Sequence, residues 1–119
     1  MIFFAPHTEN TPQCTAHFDA MDGDACLGTC KLRIEGDKAD VFSITLTGGD
    51  AEIGEGLLRA AYNYAANKGA YWGVCSAENA GEITARLRFE TEDGVPQGDI
   101  PTLLTGFCDR HSAQNGGQL

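Results

Sequence analysis

Positive charge is scarce in this chain: 8 lysines and arginines stand against 17 aspartates and glutamates in 119 residues, a formal net charge of -9. Such a surface repels phosphate backbones and anionic lipid, which argues against nucleic acid and membrane as partners. The excess of carboxylates is accounted for by solubility alone; a cationic substrate, such as an amine, is the alternative. Long apolar runs are also missing. The opening Met1-Ile-Phe-Phe-Ala5 is far too short for a signal peptide and no stretch approaches a membrane span, so a cytoplasmic protein is expected. No repeat occurs, and Gly54-Glu-Gly56 is a lone glycine pair without a Walker or dinucleotide fingerprint around it. The length suits a single domain over 1–108, with 109–119, polar and glycine-rich, as a disordered tail.

The five cysteines do not form a metal or disulfide pattern. Cys26 and Cys30 lie in an alternating run, Ala25 to Ile34, where four residues of strand separate them by about 13 Å, too far for one zinc or one disulfide. Cys26, Gly28, Cys30, Leu32 and Ile34 share one apolar face there, and Leu27 is the exception on the other. Cys14 and His17 offer two ligands with no second pair near them in sequence, so no metal is expected. An odd count favours reduced thiols. Cys75 ends a core strand, but His7, His17 and His111 all lie in other segments, and the expected role is a buried thiol.

Ile2–Ala5 reads as a short edge strand, followed by a polar loop from His7 to Pro12. Strands are expected at Cys14–Ala20 and Ala25–Ile34, joined by a turn at Asp22-Gly23-Asp24, with a second turn at Glu35-Gly36-Asp37-Lys38. In Ala39–Thr47, Phe42, Ile44 and Leu46 alternate onto one face. Gly48-Gly49 breaks that strand and Asp50 supplies a helix cap. Ile53, Leu57, Ala61 and Ala65 recur at helical spacing, and Gly69, preceded by Lys68, suits the left-handed residue that stops the helix. Ala70–Ser76 is a nearly all-apolar run, typical of a strand covered on both sides, with Tyr71 and Trp72 pointing to opposite faces so that at least one packs as core. Strand, helix and strand in this order imply a parallel pair, with a glycine turn where the first strand meets the positive end of the helix, a place where α/β proteins bind anions.

Beyond Ser76, Asn79 can cap a short helix through Leu87, with Glu82 bonding back. Strands at Arg88–Thr91 and Val95–Gly98 flank an Asp93-Gly94 turn, and Asp99-Ile-Pro101 opens either a short helix stopping at Gly106 or, in competition, a strand at 102–108.

This order of elements resembles the GNAT superfamily of acyl-CoA-dependent N-acyltransferases. Gly54-Glu-Gly-Leu-Leu-Arg and the helix to Gly69 are similar to its pyrophosphate loop and helix, and Ala80 through Leu87-Arg88-Phe89 to its second signature. The likeness covers roughly residues 14–98. It implies an α+β fold with a mixed sheet: a GNAT-like three-layer arrangement of antiparallel N-terminal strands, one central βαβ unit and truncated N-terminal helices. It implies acetyl-CoA or another acyl-CoA as co-substrate. It also implies that the backbones of Ile44 and Leu46 pair with pantetheine, that Ile53, Gly54 and Gly56 face the pyrophosphate, and that a small-molecule amine is the acceptor.

The chain departs from the pattern. The family's Gln/Arg-x-x-Gly-x-Gly/Ala falls on Gly49-Asp-Ala-Glu52-Ile-Gly54, so the first glycine is Glu52, and Glu55 adds a second carboxylate. Each opposes a pyrophosphate within ~6 Å by about a kcal/mol, while both suit the helix dipole. Thr84 stands where many members carry an acidic tyrosine, Arg88 replaces a glycine and Ala77 an asparagine, so the catalytic residues are unknown. The N-terminal part is too short for the two helices that wall off the acceptor, a wall that the second chain of a homodimer could supply. Two functions follow: a small N-acyltransferase using acyl-CoA, its activity retained or lost, or a non-catalytic domain of the same fold acting through self-association or partner binding.

Overall fold

The computed structural model describes residues 1–78 and 80–104. Among the described residues, seven strands form one mixed sheet in the order β1-β2-β3-β4-β5-β7-β6. The N-terminal strands β1 (Ile2–Thr8), β2 (Ala16–Asp22), β3 (Ala25–Glu35) and β4 (Lys38–Leu46) are successive antiparallel neighbours. β1 outlasts its expected length and takes in Pro6 and His7. An edge strand tolerates a proline because one side of it needs no ladder bonds.

Helix α1 (Ala51–Asn67) follows β4 and delivers the chain to β5 (Trp72–Cys75), which pairs with β4 in parallel from Lys38↔Trp72 to Val41↔Cys75. The caps are those the sequence specifies. The Asp50 side chain accepts from the Glu52 amide, and Gly69 takes the left-handed conformation, φ 98°, that ends the helix. The short helix α2 (Gly81–Thr84) comes next, and its N-cap is Ala80, whose side chain cannot cap. The expected cap, Asn79, lies outside the described residues. β6 (Glu90–Glu92) and β7 (Val95–Asp99) form a hairpin on a turn whose central residues, Asp93 and Gly94, both have positive φ. After β7, residues 100–104 are helical rather than extended, and the Asp99 carboxylate accepts from the Thr102 amide at 3.0 Å. Gly106 and the tail 109–119 lie outside the described residues.

Two β-bulges re-aim side chains that simple alternation places wrongly. One, between Ala20 and Met21, leaves Leu27 extra on β3; Cys26 turns out to solvent and Leu27 packs against the core. The other, between Lys31 and Leu32, leaves Phe42 extra on β4. Ile44 and Leu46 therefore stay on the core face beside Cys30 and Gly28. Phe42 moves to the opposite face, its ring 5.1 Å beneath the Arg33 guanidinium.

The core lies between the sheet and α1, where Leu57, Leu58, Ala61, Tyr62 and Ala65 meet Phe18, Cys30, Leu32 and Val41. A Cβ on Gly73 would meet Leu103 at 2.8 Å and Tyr62 at 3.0 Å, so α1 and the 100–104 segment share one face of the sheet. The other face carries no helix among the described residues. Neither Tyr71, which is exposed, nor Trp72, which is half-buried there, belongs to the core, and β5 is covered on one side rather than two. The small Gly73 makes the difference: Tyr62 and Leu103 fill the space that a strand side chain would occupy. No described helix is long and apolar enough to cross a membrane.

Candidate functional site: the cleft between β4 and β5

The parallel pairing is short, and what ends it is visible. The Ser76 amide bonds the Val41 carbonyl at 3.0 Å and the Asp40 carboxylate at 3.1 Å, while Ser76 Oγ donates to the same carboxylate at 2.9 Å. Beyond this clamp the chain leaves the sheet toward α2. Phe42–Leu46 then has β3 on one side and, among the described residues, no strand on the other. The Thr47 amide bonds Leu27 on β3 at 3.0 Å; by strand alternation the amides and carbonyls of Ile44 and Leu46 point the opposite way, into the gap. A cleft of about 290 Å³ opens there. Ile44, Leu46, Gly49 and Ala51 form one wall, with Glu78, Glu82 and Ile83 across from them. The last three are cleft residues that spacing within the β4–α1 segment does not reveal, because α2 and the turn before it bring them from about thirty residues downstream.

At the start of α1 the orphan amides are largely taken. Asp50 serves those of Glu52, Ile53 and Gly54: its side chain holds the Glu52 amide at 2.9 Å, and its carbonyl accepts from Ile53 at 3.1 Å and Gly54 at 3.3 Å. Ile53 and Gly54 are both buried, Gly54 beneath Ile83. Gly56 faces elsewhere, its missing Cβ occupied by the ring of Phe4 from β1. Ile44 and Leu46 thus share the cleft, Ile53 and Gly54 lie under its floor near Ala51, and Gly56 lies apart.

Of the two glutamates in α1, Glu52 is exposed. Glu55 is buried and held by Arg59 at 3.1 Å and by Arg86 at 3.4 Å, so its charge is met inside the protein rather than presented to the cleft. Arg59 also donates to the Leu104 carbonyl at 2.9 Å, tying the 100–104 segment to α1.

Cys75, at the carboxyl end of β5, lines a separate hollow of about 220 Å³ with Ala80 and Thr84. Burial, reinforced by the Asp40 carboxylate, pushes its thiol up to about 11, so the sulfur is neutral at physiological pH. Thr84 is buried and its hydroxyl donates to the Gly81 carbonyl at 3.2 Å. Neither group offers a proton donor tuned to neutral pH.

No family model and no curated protein matches this sequence. Solved structures do. A candidate N-acetyl transferase from E. coli, YhhK, solved bound to coenzyme A, aligns over 83% of this chain and 98% of its own, with a TM-score of 0.63 at 13% identity. N-acetylglutamate synthase from Neisseria gonorrhoeae, solved with coenzyme A and N-acetyl-glutamate, aligns over 71% of this chain and 25% of its own, with a TM-score of 0.57 at 16% identity. The PaiA N-acetyltransferase of Thermoplasma acidophilum, in complex with coenzyme A, gives a TM-score of 0.55 at 19% identity, over 70% of this chain and 59% of its own. The chain has the GNAT fold. Its parallel β4–β5 pair, with α1 between them in sequence, is the central βαβ unit expected for that fold. The antiparallel strands before it and the hairpin after it complete the GNAT-like sheet.

Proposed function

We infer that this protein is a small N-acyltransferase that takes an acyl-CoA into the β4–β5 cleft and passes its acyl group to an amine. The observation that carries this reading is the open stretch of β4 beyond the Ser76–Asp40 clamp, where Ile44 and Leu46 turn backbone groups that no strand pairs among the described residues into a gap with one apolar and one acidic wall. An extended pantetheine arm, with its two amides, is the kind of partner such a strand edge takes. In this reading the pyrophosphate end lies toward the start of α1, near Ile53 and Gly54, where the helix dipole favours anions and Glu52 opposes them. Gly56 is packed under Phe4.

The amine nitrogen attacks the thioester carbonyl. The tetrahedral intermediate collapses to an amide and the CoA thiolate, and the proton lost by the nitrogen reaches the sulfur through water. The acidic wall, Glu78 and Glu82, attracts a protonated amine by simple Coulomb attraction, and the amine's first proton passes to water before the neutral nitrogen attacks.

A second reading, a non-catalytic domain that works by self-association or by binding a partner, is favoured by one feature. The sheet face opposite α1 leaves Phe42, Trp72 and Val74 half-buried with no helix over them among the described residues.

Thermal melting with acetyl-CoA tests the shared premise. Native-state binding at a hundredfold excess over Kd stabilises by about 2.7 kcal/mol and raises Tm. No shift at millimolar ligand overturns the acyltransferase reading. A shift without release of free thiol, over a panel of primary amines, transfers the case to the second.

A further inference from the structure

On the sheet face away from α1, the pairing of β1 with β2 sets His7 directly opposite His17, and Asp19 lies two residues further along β2 on the same face. The imidazoles stack at 4.6 Å between centroids, tilted by 19°. His7 Nε2 is 3.2 Å from Asp19 Oδ2, and His17 Nε2 is 3.8 Å from the same oxygen. All three ligand atoms lie within 4.8 Å of one another. Bonds of about 2.1 Å to a tetrahedral ion put ligand atoms about 3.4 Å apart, so no pair has to close by more than roughly an ångström and a half.

The surroundings orient these groups as an outer shell orients metal ligands. Glu9 accepts from Nδ1 of His17, which leaves the lone pair on Nε2, the nitrogen aimed at Asp19. Glu9 itself is held by its backbone, whose amide bonds the Thr15 carbonyl at 2.9 Å. Thr29, opposite Asp19 on β3, donates to Oδ1 at 2.8 Å and leaves Oδ2 available. Two neutral imidazoles and two carboxylates balance a double positive charge.

We propose that His7, His17 and Asp19 bind one divalent transition ion of the Zn2+ class, which fastens the edge strand β1 to β2. Two imidazoles and one carboxylate suit Zn2+, Co2+ or Ni2+, whereas Mg2+ and Ca2+ ask for oxygen throughout. Water completes the coordination on the open side, since His7 is half-exposed. The site is built from β1 and β2 alone and does not depend on what the β4–β5 cleft binds.

The experiment is calorimetric titration of the full chain with Zn2+, in a Cys26→Ser background that removes the exposed thiol. The expected result is one ion per chain with a Kd of about 10 µM or tighter, and a Tm that climbs with Zn2+ but not with Mg2+. His7→Gln, His17→Gln and Asp19→Asn should each weaken binding at least about tenfold, and Glu9→Gln by about 10- to 100-fold. Amide exchange in β1 should slow on adding Zn2+, a readout that needs no variant. No binding at about 100 µM Zn2+, or binding indifferent to both histidine variants, overturns the proposal. So does a Co2+ spectrum with thiolate charge-transfer bands, which would place the ion on cysteine.

Discussion

A Cβ built on Gly54 would lie 2.6 Å from Cδ1 and 2.8 Å from Cγ1 of Ile83, so the glycine is where α2 sits down on α1. The residue that the GNAT pattern assigns to a phosphate is thereby also a packing seat. Gly54→Ala forces a buried isoleucine aside, while alanine improves helix propensity by up to about 1 kcal/mol; overpacking should win, with a net loss of about 1–2 kcal/mol. Urea denaturation checks this. In the Ile83→Ala background the same substitution should be neutral or stabilising, and equal costs in both backgrounds would contradict the contact.

The two glutamates of α1 should behave oppositely. Glu55→Ala strips Arg59 and Arg86 of a carboxylate that is only 10% exposed, and a loss of about 3 kcal/mol is expected. Glu52→Gln removes an exposed charge at the helix start and should change stability by only about 0.5 kcal/mol. Acetyl-CoA affinity should then rise roughly fivefold, the equivalent of about a kcal/mol of relieved repulsion. Unchanged affinity in Glu52→Gln would show that the pyrophosphate does not approach α1 from this side.

Tyr62 is fully buried and its hydroxyl donates to the Val74 carbonyl at 2.5 Å, stitching α1 to β5. Tyr62→Phe keeps the ring, including its edge-on contact with Phe89, and removes the donor. A loss of about 1–2 kcal/mol in chemical denaturation is the expected outcome.

The thiols should sort by depth. Burial pushes Cys30 up to about 12 and Cys75 up to about 11, from an ordinary value of 9.0, whereas Cys26 is exposed. At pH 8 a thiol reagent should modify Cys26 rapidly and reach Cys30 and Cys75 only through unfolding. The folded values lie above the unfolded one, so the stability from keeping these sulfurs neutral is whole below pH 9. It is lost as pH rises from there through 11 to 12, by up to about 1.4 kcal/mol per pH unit for each thiol. A Tm that stays flat from pH 8.5 to 10.5 would contradict this; Cys30→Ala with Cys75→Ala should lessen the fall, the remainder belonging to Tyr62 and Cys14, which burial also pushes up.

The stretch from β4 to β5 was legible because its signals are local: alternation, a glycine break, an aspartate cap, a four-residue rhythm and a glycine stop each depend on neighbours in the chain. Alternation failed at Phe42 and Cys26, where one extra residue in a strand reverses which face every later side chain occupies. A bulge is written in the mismatch between two strands, and neither strand's own pattern contains it. The helical state of 100–104 was one of two open readings, decided by Arg59 holding the Leu104 carbonyl and by Leu103 filling the space above Gly73.

From sequence alone came the antiparallel run, the βαβ unit, the caps of α1 and the resemblance to GNAT enzymes, all carried by short-range periodicity and turn chemistry. Tertiary structure alone decided where β5 leaves β4, what covers Gly54 and Gly56, and that Glu55 faces two arginines. It alone also set His7 beside His17, ten residues apart along the chain, because side chains from separate segments meet only once register and packing are set.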